Sequence, residues 1–175
     1  MKNNTYPLFS LITFLFILSC QSDKVAGGST DVETGGISGV AQFNGDASPV
    51  SNTKITLTRS SGLLFDSLAS VTTDESGQFN FENLTPGNYA IESYHSTTGK
   101  RNLNTNVAVQ ANQAANITSI MHTPGEITIT NIPSEFKNDN YSLIIPELRL
   151  QKSLNVNTDS IVLETIPAGV SLSVY

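Results

Sequence analysis

From Ile37 onward the side chains alternate with a period of two, which confines the chain to sheet structure. Ile37, Gly39, Ala41 and Phe43 alternate with polar or small residues. Ile55 and Leu57 alternate with Lys54, Thr56 and Thr58, and Tyr89, Ile91 and Ser93 with Ala90, Glu92 and Tyr94. Val107 and Val109, then Ile127 and Ile129, continue the pattern. Neighbouring side chains on an extended strand point to opposite faces, so each run buries one face and wets the other. Turn clusters separate the runs: Asn44-Gly45-Asp46, Ser60-Ser61-Gly62, Asp74-Glu75-Ser76-Gly77, Thr85-Pro86-Gly87 and Thr97-Thr98-Gly99. Short strands at this spacing predict an all-β fold, an antiparallel β-sandwich. The Ala-rich stretch from Val109 to Asn116 is flanked by β-type residues and reads as a turn. Ser, Thr and Asn supply 57 of the 175 residues, the composition of turns and strand surfaces rather than of helices.

Within this pattern, Gly39, Pro49-Val50 and the strand of Ile55 and Leu57 come first. Thr73-Asp74-x-x-Gly77-x-Phe79-x-Phe81 follows, then Leu84-x-Pro86-Gly87-x-Tyr89. Residues 37–122 thereby resemble the carboxypeptidase regulatory-like domain, a prealbumin-like seven-stranded sandwich, and the wider starch-binding-like and collagen-adhesin B-type groups. The resemblance implies a non-catalytic binding or accessory module, with carbohydrate as ligand class. Four residues have structural tasks at turns. Asp74 can accept backbone N–H groups, and Gly77 supplies a positive φ before Phe79. Pro86 and Gly87 suit a type II turn that aims Tyr89 inward. Asp74–Gly77 is a poor calcium loop, because only two acids are adjacent and no bidentate Glu follows at loop position twelve.

The N-terminus carries an address. Lys2 precedes Leu8–Leu18, which is apolar apart from Ser10 and Thr13. As helix it would span about 16 Å, half of a hydrocarbon core of about 30 Å, which fits a cleavable signal rather than a membrane span. Ile17-Leu18-Ser19-Cys20 resembles a bacterial lipobox, and Cys20 is the chain's only cysteine. The resemblance implies removal of residues 1–19, a diacylglycerol thioether on Cys20 and acylation (palmitate among the chains) of the new amine. Two or three chains hold a protein at a membrane far longer than one. Residues 20–36 are Gly-rich and aperiodic, a flexible tether whose sixteen residues after Cys20 reach about 22 Å. Gln21 is not the aspartate of inner-membrane retention, which favours the outer membrane.

Residues 125–175 read as a partial second β unit. Leu163-Glu164-Thr165-Ile166-Pro167-Ala168-Gly169 aligns with Phe81-Glu82-Asn83-Leu84-Thr85-Pro86-Gly87 when Gly169 is set on Gly87. Gly125–Ile132 would be its opening strand and Tyr141–Pro146 the next. Either the chain is a fragment ending in a truncated repeat, which we prefer, or these strands complete one larger sandwich with the first unit.

Chemistry is sparse. One Cys and two His provide no metal centre, and no cofactor is expected. His95 and His122 read as exposed loop residues. No Gly-x-Ser-x-Gly elbow exists, and the acids are scattered, so an enzyme is not expected. Nine basic against fifteen acidic residues, unclustered, offer nucleic acid no basic face. A Lys–Asn crosslink of the adhesin kind is disfavoured, since Ile37–Phe43 holds no lysine and Lys54 reads as a solvated strand residue. Sugar stacking needs exposed rings. Phe43, Phe79, Phe81 and Tyr89 belong to the core pattern, leaving Tyr94 as the ligand-binding candidate, then Tyr141 and Tyr175. The loop His95–Arg101, with the adjacent bases Lys100 and Arg101, is a second candidate for an acidic sugar. The membrane, through the lipid, is the expected partner, and the other reading is a spacer presenting a downstream region. Oligomeric state is open.

Overall fold

The computed structural model describes residues 33–175 apart from 62–63, 138–140, 156 and 158, so the leader, Cys20 and most of the tether lie outside the described residues. Seven strands build the first region: β1 Gly35–Phe43, β2 Lys54–Ser61, β3 Leu64–Thr72, β4 Gln78–Leu84, β5 Gly87–Tyr94, β6 Arg101–Val109 and β7 Ala114–Met121. They form a three-stranded sheet, β4-β1-β7, and a four-stranded sheet, β3-β2-β5-β6. Alternation explains the core between them. Ile37, Phe79 and Phe81 from the smaller sheet meet Ile55, Leu57, Tyr89, Ile91, Val107 and Val109 from the larger, all buried. The expected sandwich is therefore present, with one departure from its antiparallel reading. β1 and β7 pair in parallel, Ile37 opposite Ala115 and Phe43 opposite Met121.

β1 begins inside the segment read as tether, because Gly36 N–H donates to Gln113 O (3.0 Å) and Asn112 N–H to Thr34 O (2.8 Å). Of the Ala-rich stretch only residues 110–113 turn; Val109 ends β6, and Ala114–Asn116 open β7 instead of turning. At Gly77 (φ +72°) the chain turns back into β4, and its carbonyl accepts Ala41 N–H at 2.8 Å. Asp74 Oδ1 accepts the N–H groups of Ser76 and Gln78, both at 2.8 Å. The Pro86-Gly87 turn differs from its type II reading. Gly87 has φ +152°, far from the roughly +80° of that position, and already belongs to β5. Tyr89 is aimed and fixed instead by its hydroxyl, which donates to Thr85 O at 2.6 Å.

Buried polar groups are paired, as their desolvation demands. Thr73 Oγ1 donates to Val50 O (2.7 Å) and accepts Thr53 N–H (3.0 Å). Between the sheets Ser93 and Ser119 hydroxyls lie 2.6 Å apart, and Asn102 donates to Ser119 at 3.0 Å.

The second region has β8 Gly125–Thr130, β9 Ser142–Ile145, β10 Leu150–Ser153 and β11 Ser160–Ile166, with one-turn 3-10 helices at Ser134–Phe136 and Pro146–Leu148. β8 pairs with β11 and β9 with β10, around a separate core of Leu143, Ile145, Leu154, Ile161, Leu163 and Ile166. Its registers repeat those of the first region. Ile37 faces Phe81 and Gly35 faces Leu84, with a bulge between; Ile127 faces Leu163 and Gly125 faces Ile166, with a bulge between. The bulge residues Asn83 and Thr165 share a left-handed φ, +57° and +58°. β8 and β11 thus stand to each other as β1 and β4 do. The chain after Gly169 returns beside β9, where Tyr175 and Ile144 exchange two backbone hydrogen bonds, as β5 returns beside β2.

Candidate functional site

Tyr94 closes β5 on the outer face of the four-stranded sheet, one period from Glu92, with Arg101 opposite it on β6. The Arg101 guanidinium lies 4.3 Å from the Tyr94 ring centroid, so one face of that ring is covered. Arg101 Nη1 donates to Glu92 Oε1 at 3.2 Å, and Arg149 donates to the other carboxylate oxygen. Arg149 reaches Glu92 from the end of the second 3-10 helix, where its left-handed φ of +52° ends the turn. One carboxylate is thus shared by two guanidiniums, a part-exposed cluster held by geometry more than by Coulomb energy. The cluster ties the two regions together. A separation of 57 residues hid Arg149 from a sequence reading.

The second sequence candidate, the loop His95–Arg101, is similarly engaged. Lys100 Nζ stands 4.4 Å from the Phe43 ring centroid, and His95 meets the same ring edge-on at 5.7 Å. His95 Nδ1 lies 2.8 Å from Thr98 Oγ1. Both histidines are half-buried rather than exposed as expected: His95 packs on Phe43, and His122 exchanges two backbone hydrogen bonds with Arg101. Phe43 is itself half-buried, beside the small cluster of Ala41, Val50 and Met121 rather than in the main core. Lys54 is exposed on β2.

The outer face of β4-β1-β7 is a shallow polar field. Ser38, Gln78, Asn80, Asn116 and Thr118 line its concavities. Ser38 Oγ donates to Asn80 Oδ1 (3.0 Å), and Asn80 Nδ2 to Glu82 Oε1 (2.7 Å). Such amides and hydroxyls can exchange hydrogen bonds with a hydroxyl-rich ligand. Period two had placed Ser38 and Asn80 outside, but only the sheet order brings Asn116 beside them.

An apolar concavity of about 340 Å³ lies in the second region. Ile129, Ile132, Phe136, Tyr141, Val174 and Tyr175 line it, so both remaining tyrosine candidates fall there together. Phe136 and Tyr141 meet edge to face at 5.3 Å and 81°, which makes a corner rather than a flat platform.

Among the described residues no group of three or more His, Cys, Asp or Glu could hold a metal ion. No helix of the described residues is long and apolar enough to cross a membrane. Two aspartates have carboxyls held below the usual range. Asp46 accepts the Ser48 N–H and hydroxyl, and Asp159 accepts from Lys137 Nζ at 2.8 Å. Both are exposed and serve loops.

Residues 36–122 match the family model of the carboxypeptidase regulatory-like domain. No curated protein matches the chain. Among solved structures, a 9R-lipoxygenase from Cyanothece PCC8801 aligns over 49% of this chain and 16% of its own, at 14% identity and a TM-score of 0.32. The Bacillus anthracis TIE protein aligns over 82% of this chain and 31% of its own, at 14% identity and a TM-score of 0.38. The chain thus spans less than a third of either protein.

Proposed function

We propose, from the premise that residues 36–122 are a carboxypeptidase regulatory-like domain, that the chain is a lipid-anchored module of the bacterial cell envelope that presents and binds rather than catalyses. Such domains are non-catalytic β-sandwiches. The observation that carries the reading is how three basic side chains are spent. Arg101 sits on Tyr94 and Glu92, Arg149 on Glu92, and Lys100 on Phe43, so these cations brace the sandwich instead of converging on a cleft. Anchoring is assigned to Cys20, with the outer membrane as destination.

Carbohydrate is the ligand we assign to the module, on the polar field of β4-β1-β7. Asn80, Gln78 and Asn116 are exposed amides on one sheet face, matched to sugar hydroxyls. Without a flat aromatic platform the affinity expected is about millimolar, a few kcal/mol. A glycan array tests this, comparing the protein with Asn80→Ala/Asn116→Ala and with Tyr94→Ala. Binding lost in the double variant and kept in Tyr94→Ala supports the polar field; binding lost only in Tyr94→Ala moves the site to the four-stranded sheet. Absence of glycan binding leaves the module as a spacer, the reading that the covered Tyr94 ring favours.

A further inference from the structure

Asn44-Gly45, in the turn that follows β1, is the only Asn-Gly pair in the chain; every other asparagine precedes a residue that carries a side chain. Residues 44–47 are exposed, and the Asn44 carboxamide has no hydrogen-bond partner among the described residues. The N–H groups leading into the turn are taken. Phe43 N–H donates to Ser48 O at 2.9 Å and Asn44 N–H to Met121 O at 3.2 Å. The next one, Gly45 N–H, makes no hydrogen bond among the described residues. Gly45 has φ +111°, and a Cβ built on it would meet no atom within 4 Å. A free carboxamide, a free peptide nitrogen and open space therefore adjoin each other in one turn.

Other exposed asparagines of the first region are held. Asn52 precedes Thr53, whose buried N–H donates to Thr73 Oγ1 at 3.0 Å. Asn112 precedes Gln113, whose N–H donates to Gln110 O at 3.4 Å. Asn80 and Asn116 lie within β4 and β7, where the ladders fix the backbone. Only at Asn44 are the side chain, the following nitrogen and the following residue all unencumbered among these five.

We propose that Asn44 is a self-modifying site, at which Gly45 N attacks the Asn44 side-chain carbonyl and water converts the resulting imide to isoaspartate and aspartate. Holding the two groups in one turn makes the attack intramolecular, which is where its rate comes from. The bond from Gly45 N to Asn44 Cγ forms as the bond from Cγ to Nδ2 breaks. Nδ2 departs as ammonia with the proton that Gly45 N gives up. Water then adds to either carbonyl of the ring. Addition at the Asn44 main-chain carbonyl releases Gly45 N from it, so the chain runs through Cγ as isoaspartate; addition at Cγ gives aspartate. Either product takes the net charge one unit below −6. The new carboxylate arises two residues from Asp46, whose carboxyl the Lys100 ammonium already attracts. Isoaspartate also adds one backbone atom to the turn. The Gln42–Pro49 bridge pins the base of that loop, and Asp46 holds Ser48 within it, so the loop changes shape while the sandwich persists. The inference goes beyond the envelope-module reading, and neither glycan binding nor lipidation bears on it.

The test follows full-length protein in detergent at physiological temperature and neutral pH, beside a free peptide of residues 40–50. Peptide mapping by mass spectrometry reads the gain of one mass unit at each asparagine. Methyl transfer by an isoaspartyl methyltransferase reads the product whose chain runs through Cγ. Conversion is expected at Asn44 ahead of Asn52 and Asn112, with isoaspartate among the products and a rate within about tenfold of the free peptide. Asn44→Gln lengthens the side chain by a methylene, and should abolish the isoaspartate signal with the melting curve unchanged. Conversion at Asn52 or Asn112 as fast as at Asn44 overturns the proposal. So does an Asn44 still intact in the protein once the peptide has converted. Aspartate at position 44 with no isoaspartate would mean direct hydrolysis of the side chain, and overturns it too.

Discussion

Gly77→Ala should damage the first sandwich in two ways at once, through its backbone and through the space around it. At φ +72° an alanine pays about 1–2 kcal/mol for left-handed backbone. The new Cβ would also lie 2.6 Å from Ala41 O, 2.9 Å from Val50 N and 3.2 Å from Pro49 Cβ. The first two atoms are joined by a hydrogen bond of 2.9 Å and cannot rotate away, so overpacking adds about 1–3 kcal/mol. Lower entropy of the unfolded chain returns about 0.4–1 kcal/mol, which leaves a net loss of about 1–5 kcal/mol. Gly99→Ala is the matched control. It has φ +69° and nothing within 4 Å of the added atom, so it should cost only about 1 kcal/mol. Urea denaturation of both variants at equal m-value reads the difference. Equal losses would show that the Ala41–Val50 backbone yields freely and would refute the steric part of the reasoning.

Tyr89→Phe should lose about 1 kcal/mol in the same urea assay, since it removes only the bond to Thr85 O. Thr73→Val should lose more, about 1–3 kcal/mol, because the buried Thr53 N–H is left without its acceptor. Asp46 titrates below its ordinary 3.8 in the folded state, so its contribution is full above that pH and fades as pH falls through the lowered value; Asp46→Asn should flatten the acid limb of a stability–pH curve below about pH 4. Cys20→Ser should abolish fatty-acid labelling and leave the protein in the aqueous phase of a detergent partition; an unlabelled parent protein would end the anchor reading.

Strands whose apolar residues alternate were visible in the amino-acid pattern, and β3 and β10 were not. In β1, β2 and β5 the apolar residues that alternate in the sequence, Ile37, Ala41, Ile55, Leu57, Tyr89 and Ile91, are all buried, and that alternation is what a period records. β3 has residues 66–70 exposed on an edge, so nothing selects a period there, and β10 is hidden for the same reason. The parallel pairing of β1 with β7 leaves no local trace, because it joins the first and last strands of the sandwich. At the candidate sites, Tyr94 was found from its outward position, but the Arg101 guanidinium above it was not. Stacking depends on the β5–β6 register, which shifts between Tyr89 and Ile91. The repeat was legible as Leu163–Gly169 on Phe81–Gly87, whereas its matching registers needed the ladders to be seen.

The central place of β1 also governs how the sandwich answers to force. It is the first strand after the predicted tether, and ladders hold it on both sides, antiparallel to β4 and parallel to β7. Tension applied at its N-terminal end runs along the strand, while the rungs lie across it. The rungs to both neighbours are then strained together in shear instead of parting one at a time as in an unzipping hairpin. A sandwich built this way resists extraction from its N-terminal end, the end by which the proposed lipid anchor would hold it.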